Sequence, residues 1–266
     1  MLAIKRVAVI GASGKMGREI VKGLSQFDDV QIVGAIDVIN MGKDIGELAG
    51  IGTLGVQVTD KLEQCLQVEK PQIVVDFTHK NAAKVNIPVI LKNGISVVAG
   101  TTGLSKENMK EYDLLARQNK TSIFQAPNFS LGAVLMMKYA REAASYLSQV
   151  EIIEYHNDKK VDSPSGTSIA TAEGIGNALS KVGVDNQFVD DSKCRGGEFN
   201  GTRIHSVRLK SLIAHQEVLL AGDGELLTIR HDSFSRSSFI PGILLAIRKV
   251  ELWEGLKIGL EGILDL

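Results

Sequence analysis

The densest group of side chains able to do chemistry lies in one short segment, Glu154–Thr167 (EYHNDKKVDSPSGT). His156 can donate or accept a proton near neutral pH, and Lys160 carries a full positive charge nearby. Gly166 and Thr167 stand at the start of a predicted helix, where backbone N–H groups and a hydroxyl can bind a carboxylate. Each feature alone has an ordinary structural explanation, such as a solvated lysine or a helix cap. Together they predict an anion site with a proton donor beside it.

A second candidate site is the glycine-rich turn GASGKMG at residues 11–17. It follows an apolar strand predicted at Arg6–Ile10 and begins an amphipathic helix. A G-x-x-G-x-x-G turn lets the backbone approach a pyrophosphate, which the helix N-terminus attracts. Asp37, at the end of the second predicted strand, can accept hydrogen bonds from an adenosine ribose. The pattern predicts dinucleotide binding, with contacts expected from Gly11, Ala12, Ser13, Gly14, Lys15, Met16 and Asp37.

Asp37 also bears on which dinucleotide binds. Its carboxylate would repel the 2′-phosphate of NADPH, and the next residue, Val38, supplies no arginine to compensate. Lys15 and Lys43 would offset that repulsion if they reach the same corner. We therefore favour NADH as the cofactor and keep NADPH as the alternative.

Two further turns follow predicted strands, at residues 100–103 (GTTG) and 126–129 (APNF). In an open parallel sheet ligands bind at the carboxyl ends of strands, although Gly, Pro and Asn also favour ordinary turns. This shared location predicts nicotinamide contacts from Gly100, Thr101, Thr102, Ala126, Pro127, Asn128 and Phe129. Thr78 ends another strand in the same way, but we interpret it as a cap of the next helix and leave it out of the site.

These segments lie in two regions with different patterns. As far as residue 127, short apolar strands alternate with helices, which predicts a parallel sheet. Beyond it a long helix precedes strands at 150–156, 204–209, 216–220 and 225–231, the last two joined by a hairpin turn at 222–224. The expected fold class is α/β, a Rossmann-type nucleotide domain (1–127 and 238–266) with a second α+β substrate and oligomerisation domain (128–237). A final helix is expected to close the chain.

The composition excludes several classes of function. The chain has 266 residues, of which 44% are hydrophobic and 23% charged, and its net charge is −1. No global field therefore attracts nucleic acid or an anionic membrane. No apolar run approaches the roughly 20 residues that span a bilayer, and no cleavable signal precedes the first strand. Cys65 and Cys194 form no metal-ligand pattern. We expect a cytoplasmic protein with reduced thiols and without metal, membrane or nucleic-acid partners.

The motifs together resemble the 4-hydroxy-tetrahydrodipicolinate reductase (dihydrodipicolinate reductase) family. GAxGxMG, GTTG, APNFS and E-x-H-x-x-x-K-x-D-x-P-S-G-T occur in that order. The resemblance implies hydride transfer to a small cyclic dicarboxylate, with loss of water, in the diaminopimelate route to lysine. It implies that His156 is the proton donor or acceptor, Lys160 a second proton donor, and Gly166 and Thr167 ligands of a substrate carboxylate. It also implies a homotetramer assembled through the sheets of the second domain.

One position departs from the family pattern, and two other functions stay open. Many members carry a second histidine that contacts substrate where this chain has Asn157, which can donate a hydrogen bond but has no charge. We expect weaker substrate binding there and a preserved mechanism, with an altered substrate as the alternative. The loop motif argues against a two-domain NAD(P)-dependent amino-acid dehydrogenase. The joint presence of His156 and Lys160 argues against a non-catalytic dinucleotide-binding module.

Overall fold

The computed structural model describes residues 3–184 and 193–264. The chain divides into two compact units, unit 1 with Met1–Ser130 and Arg236–Leu266, and unit 2 with Leu131–Ser235. The division falls a few residues from the boundaries expected after residues 127 and 237.

The elements follow one another in chain order as β1 (Lys5–Ile10), α1 (Lys15–Leu24), β2 (Val30–Ile36), α2 (Ile45–Ala49), β3 (Val58–Thr59), α3 (Leu62–Glu69), β4 (Ile73–Asp76), α4 (Lys80–Lys92), β5 (Ser96–Ala99), α5 (Lys106–Gln118), β6 (Ser122–Gln125), α6 (Leu131–Ala144), β7 (Gln149–His156), α7 (Gly166–Lys181), β8 (Gly197–Phe199), β9 (Thr202–Arg208), β10 (Ala214–Gly222), β11 (Glu225–Ser233), α8 (Ile240–Lys249) and β12 (Gly255–Ile258). Short 3-10 helices lie at Lys193–Arg195, Arg236–Phe239, Val250–Leu252 and Leu260–Ile263.

Unit 1 is built on a seven-stranded sheet in the order β12-β6-β5-β4-β1-β2-β3. Every strand pair in it is parallel. The central strands are continuous apolar runs because helices cover both faces, and Val7, Ala8 and Val9 of β1 are fully buried. The strand order reverses between β1 and β4, which is the position where open α/β sheets bind their ligands.

Unit 2 holds a five-stranded sheet in the order β11-β10-β7-β9-β8. The β7–β9 pair is parallel and the other three pairs are antiparallel, so the expected largely antiparallel sheet is confirmed. The expected hairpin is also confirmed, because Gly222 pairs with Glu225 around a two-residue turn. Residues of α6 and α7 pack on one face of this sheet around Ile152, Ile204 and Val218.

The structure corrects the expected secondary structure at two places. The chain does not end on a helical pattern, since β12 follows α8 and extends the parallel sheet beside β6. The short helix α2 has no apolar period to reveal it. It is fixed instead by Asp44, whose carboxylate accepts the N–H groups of Gly46 and Glu47. Across residues 3–184 and 193–264 we find no helix whose length and apolar character would let it cross a membrane.

Candidate cofactor and substrate sites

The turns predicted to bind the cofactor all follow a single row of the parallel sheet. The last residues of five strands lie side by side in the register, namely Ile36, Ile10, Asp76, Ala99 and Gln125. Each turn begins one residue later, so the predicted contacts are brought to one edge of unit 1. This carboxyl edge is the expected place for a ligand of an open parallel sheet.

The glycine-rich turn has no room for side chains at its tightest points. Gly11 has a φ of +77°, and its N–H donates to the Ile36 carbonyl at 2.9 Å. A Cβ on Gly17 would lie 2.1 Å from the Gly11 carbonyl oxygen. The hydrogen bonds of α1 begin with the Arg18 N–H and the Gly14 carbonyl, at 3.0 Å. The earlier N–H groups, Lys15 and Met16 among them, therefore have no carbonyl one turn before them and can face an anion.

Asp37 is fixed against this turn. Its Oδ2 accepts the Ser13 N–H at 2.9 Å, and its Oδ1 accepts the N–H groups of Val38 and Ile39 at 2.7 and 3.2 Å. A carboxylate has about four acceptor positions, so it can still accept a ribose hydroxyl. The buried Ala12, the crowded glycines and the open helix end together fit a dinucleotide.

In the turn after β5 the side chain of Thr101 is buried and cannot contact a ligand. Thr101 is 2% exposed, and its Oγ1 lies 3.1 Å from Asp76 Oδ1. Gln125 Nε2 donates to the Thr101 carbonyl at 3.1 Å. A Cβ on Gly100 would lie 2.3 Å from the Phe77 ring. Thr102 is exposed, so ligand contacts from this turn fall to its side chain and to the backbone.

The turn after β6 is anchored at both ends in the core of unit 1. Ala126 is fully buried and Phe129 is 2% exposed. The Phe129 ring packs on Phe77 with ring centroids 5.3 Å apart. Asn128 Oδ1 accepts the Ser130 N–H at 2.8 Å, and Pro127 is exposed. Of these predicted contacts, the structure leaves Pro127 and Asn128 accessible at the sheet edge and gives the other two a packing role.

Sequence reasoning considered the end of β4 but left it out of the site and did not single out Asp76. Asp76 is fully buried and accepts the Thr78 N–H at 3.0 Å, the Thr78 hydroxyl at 2.6 Å and the Thr101 hydroxyl at 3.1 Å. It thereby joins the turn after β4 to the turn after β5. The interpretation of Thr78 as a helix cap is wrong, since His79 accepts the Ala82 N–H. The available signal was an aspartate that ends an otherwise apolar strand.

In unit 2 the predicted proton donor sits beside a buried carboxylate. Glu154 and His156 lie two residues apart on β7 and so point to the same side of the sheet. His156 Nδ1 is hydrogen-bonded to Glu154 Oε2, and Arg208 Nη2 donates to Glu154 Oε1 at 2.7 Å. The Glu154 side chain is fully buried, whereas that of His156 is 16% exposed. His156 can therefore reach a ligand while its partner cannot.

The electrostatics of this pair depend on its hydrogen bonds. Burial alone raises the pKa of Glu154, but the hydrogen bonds from His156, Arg208 and Ser206 outweigh it and lower that pKa from 4.5 to about 2. Glu154 is therefore a carboxylate throughout the neutral range, and its charge is compensated inside the unit.

The predicted second proton donor lies on the following loop. Lys160 Nζ is 2.8 and 2.7 Å from the two oxygens of Asp162, and its hydrogen bond lowers the pKa of that carboxyl. Arg208 Nη2 also donates to the Asp162 carbonyl at 2.9 Å, which ties this loop to β9. The Asn157 side-chain oxygen accepts the Lys159 N–H at 3.2 Å, so its amide nitrogen is the group left to meet a substrate.

The predicted carboxylate site is the N-terminus of α7. Ser165 is its N-cap, and its hydroxyl accepts the Ser168 N–H at 3.2 Å. The helix begins at Gly166, which is exposed, and a Cβ placed there would meet no atom within 4 Å. The Thr167 carbonyl accepts the Thr171 hydroxyl at 2.8 Å. The structure thus brings Gly166 and Thr167 to an accessible helix start.

Among the described residues no group of three or more His, Cys, Asp or Glu side chains is placed to hold a metal ion. Cys65 is buried and Cys194 exposed, and both are free thiols.

Comparisons with known proteins agree with the fold. The family model for the dihydrodipicolinate reductase N-terminus matches residues 5–129, and that for its C-terminus matches residues 132–264. The 4-hydroxy-tetrahydrodipicolinate reductase of Moorella thermoacetica is 44% identical over 266 residues, covering 100% of both chains. That of Desulfitobacterium hafniense is 46% identical over 263 residues, covering 98% of each chain. The fold and site define an NAD(P)-dependent oxidoreductase of two domains. The chain belongs to the dihydrodipicolinate reductase family.

Among solved structures, one similar protein is from the same family and another shares only the fold. A dipicolinate-bound dihydrodipicolinate reductase from Paenisporosarcina sp. TG-14 is 39% identical, with a TM-score of 0.85, covering 98% of this chain and 100% of that one. An amine dehydrogenase from Mycobacterium smegmatis is 16% identical, with a TM-score of 0.67 and coverages of 96% and 94%. The second likeness shows the fold alone. The predicted family resemblance is confirmed.

The low pKa of Glu154 makes a prediction about acid stability. We expect Glu154→Gln to be less stable than wild type at pH 7 by on the order of 3 kcal/mol, from the fall of the pKa from 4.5 to about 2. A depressed folded-state pKa contributes stability above the unfolded-state value and loses it as pH falls through the folded-state value. The difference should be constant above about pH 5 and shrink toward pH 2. Urea unfolding of both proteins at pH 7, 4 and 3 measures it, and a pH-independent difference would contradict the assignment.

Proposed function

We propose that this chain reduces 4-hydroxy-tetrahydrodipicolinate to tetrahydrodipicolinate with NAD(P)H, with loss of water, in the diaminopimelate route to lysine. The observation that carries the proposal is that Arg208 Nη2 donates both to Glu154, the partner of His156, and to the carbonyl of Asp162, the partner of Lys160, in the segment that leads into α7. The solved relative with dipicolinate bound supports a small cyclic dicarboxylate as the substrate class.

The side chains of unit 2 supply what the reaction needs besides the hydride. The bound nicotinamide supplies the hydride itself. A conjugated acceptor that takes up a hydride becomes electron-rich and must also take up a proton. His156 and Lys160 can each donate that proton, and their positive charges would stabilise the negative charge that develops before the transfer.

Two positive features can hold the two carboxylates of the substrate. Lys160 supplies a charge, and the backbone at Gly166 and Thr167 supplies the open end of a helix dipole. In the structure Lys160 is paired with Asp162, which is 63% exposed. An exposed pair of this kind contributes only about 0–1 kcal/mol, so a substrate carboxylate can replace Asp162. Asn157 would add a neutral hydrogen bond, and we expect it to bind more weakly than a histidine.

For the cofactor we infer a preference for NADH, with NADPH as the weaker alternative. The support is Asp37, whose side chain accepts three backbone N–H groups beside the glycine-rich turn. A 2′-phosphate would face that charge at close range. Residues 11–16, 100–102 and 126–129 would provide the remaining contacts, chiefly from the backbone.

The proposed reaction can be tested by NADH oxidation at 340 nm, with substrate made in place from pyruvate and aspartate semialdehyde by the preceding synthase. We expect substrate-dependent turnover that is faster at low cofactor concentration with NADH than with NADPH. His156→Ala and Lys160→Ala should each lower kcat by on the order of 10²-fold, the loss expected for acid–base help. Wild-type protein that binds NADH but turns over with neither cofactor would favour a non-catalytic binding module. Activity with ammonia and a keto acid would favour the amino-acid dehydrogenase.

The accessible helix start predicts a substrate effect without a folding effect. In Gly166→Ala the new methyl group meets no protein atom, so we expect an unchanged or slightly higher melting temperature. If a substrate carboxylate rests on this backbone, the methyl group should raise the substrate KM by on the order of 10-fold, the cost of overpacking a filled site. Gly174→Ala is the matched control in the same helix, because its Cβ would lie 3.7 Å from Arg141 Cδ, an ordinary contact. Equal KM values in all three proteins would place the carboxylate elsewhere.

We also propose that the chain forms a homotetramer through the sheet of unit 2. Helices α6 and α7 pack on the face that carries Ile152 and Val218. The alternate residues Ile153, Tyr155 and Leu219 point to the opposite face. The same face also carries Glu151, Glu217 and Arg230, and a sheet face that mixes apolar and charged side chains in this way is suited to another copy of the same chain.

The assembly can be measured by sedimentation velocity. We expect a mass four times the chain mass of 28.7 kDa. Leu219→Arg, which puts a long charged side chain on the outward face opposite Glu151, should dissociate the tetramer because a side chain of that size does not fit a packed interface. Val182→Arg, at the exposed end of α7, is the control and should leave the mass unchanged. A wild-type monomer, or a tetrameric Leu219→Arg variant, would contradict the proposed interface.

A further inference from the structure

We propose that Glu154 is a positioning residue of the reaction, fixing His156 as the Nδ1–H tautomer so that Nε2 exchanges the proton with the substrate. The inference rests on the proposed function, since it assigns the reacting atom of a residue that the proposed reaction uses.

The donors and acceptors around Glu154 leave one arrangement. Both carboxylate oxygens are engaged, Oε1 by Arg208 Nη2 at 2.7 Å and Oε2 by His156 Nδ1, and the Ser206 hydroxyl also donates to this carboxylate. A carboxylate only accepts hydrogen bonds and a guanidinium only donates them. The hydrogen between His156 and Glu154 therefore belongs to Nδ1, and in the neutral ring Nε2 keeps its lone pair.

Arg208 makes this arrangement rigid. Its Nη1 donates to the Val207 carbonyl at 2.8 Å, and its Nη2 donates to the Asp162 carbonyl at 2.9 Å as well as to Glu154. It sits on β9 directly opposite His156 in the register. Because Glu154 is fully buried, no water competes for its oxygens. The carboxylate cannot rotate without breaking a charge-assisted hydrogen bond.

The consequence for proton transfer follows from these bonds. When the imidazolium of His156 gives up its proton, the Nε2–H bond breaks, a bond from that hydrogen to the substrate forms, and the electron pair stays on Nε2. The neutral ring that remains has its hydrogen on Nδ1, the tautomer that Glu154 stabilises. Glu154 takes up no proton at any point. Its part is to stabilise both protonation states of His156 in one orientation.

A second histidine–glutamate pair in the same sheet provides an internal reference. His205 Nε2 lies 2.7 Å from Glu151 Oε2, on the opposite face of β7. This pair uses the other ring nitrogen, so we expect His205 to be the Nε2–H tautomer. A nitrogen-15 spectrum of the wild-type protein should therefore show different tautomers for His156 and His205.

The test compares wild type with Glu154→Gln in the holoenzyme with NADH. Arg208 only donates, so the new amide must turn its oxygen to Arg208 and its NH₂ group to His156 Nδ1. Nδ1 then has to accept, which forces the wrong tautomer. We expect kcat to fall by on the order of 10²-fold, the size of acid–base help. The substrate KM should change little, since Glu154 reaches no ligand.

Nitrogen-15 spectra of labelled protein, recorded over a pH range that reaches the neutral rings, give the tautomers directly. In wild type we expect a protonated Nδ1 at His156, and in Glu154→Gln an unprotonated one, with the His205 signals unchanged. A wild-type His156 with hydrogen on Nε2, or a folded variant with unchanged kcat, would overturn the proposal. The spectra need no turnover, so failure of the proposed reaction is distinguishable from failure of this inference.

A double variant separates positioning from a merely structural role. Adding Arg208→Met to Glu154→Gln removes the donor that holds the amide oxygen, so the amide can turn and accept from His156 Nδ1. We expect kcat to rise several-fold above that of Glu154→Gln, with the Nδ1–H signal restored. Because Arg208 also holds the Asp162 carbonyl, kcat of the double variant is compared with that of Arg208→Met alone. A structural role predicts a double variant far below Arg208→Met and no restored Nδ1–H signal, and either result would contradict the proposal.

Discussion

The parallel pairing of unit 1 is the constraint on which its site depends. Because the strands run in one direction and are in register, the last residues of five strands form one row. Turns that are far apart in sequence then begin at the same edge, whatever their own conformation. Asp76 reinforces this alignment, because its buried side chain accepts hydrogen bonds from both the turn after β4 and the turn after β5. The position of the predicted cofactor site is therefore set by the register of the strands, and individual side chains only refine it.

In unit 2 the main constraint is the face of the sheet on which each charged side chain lies. Strand alternation puts Glu154 and His156 on one side of β7 and Glu151 on the other. Each of the two glutamates pairs with a histidine, but Glu154 is fully buried and Glu151 is 31% exposed. A buried carboxylate needs full compensation, and Arg208 with His156 provides it. The same compensation fixes the ring of His156.

What the sequence could predict follows from the range of each interaction. The fold class, the alternating first region and the hairpin before Glu225 depend on local patterns, and the structure confirms them. Strand β12 was missed because four residues beside a half-exposed edge carry no period, and only pairing with β6 defines them. Arg208 was missed for a related reason. It meets Glu154 across 54 residues of sequence, and nothing in its own segment indicates that contact.

The glycines of the two sites differ in whether the fold itself requires them. Gly17 has to be glycine because the neighbouring turn leaves no space for a Cβ, and Gly11 has a positive φ besides. The fold requires glycine at these two positions whether or not a ligand binds. Gly166 meets neither condition, since its φ is ordinary and the space around it is open. A helix start gains stability from alanine over glycine. Under the proposed function this is the backbone on which a substrate carboxylate would rest, and a methyl group at Gly166 would stand in its way.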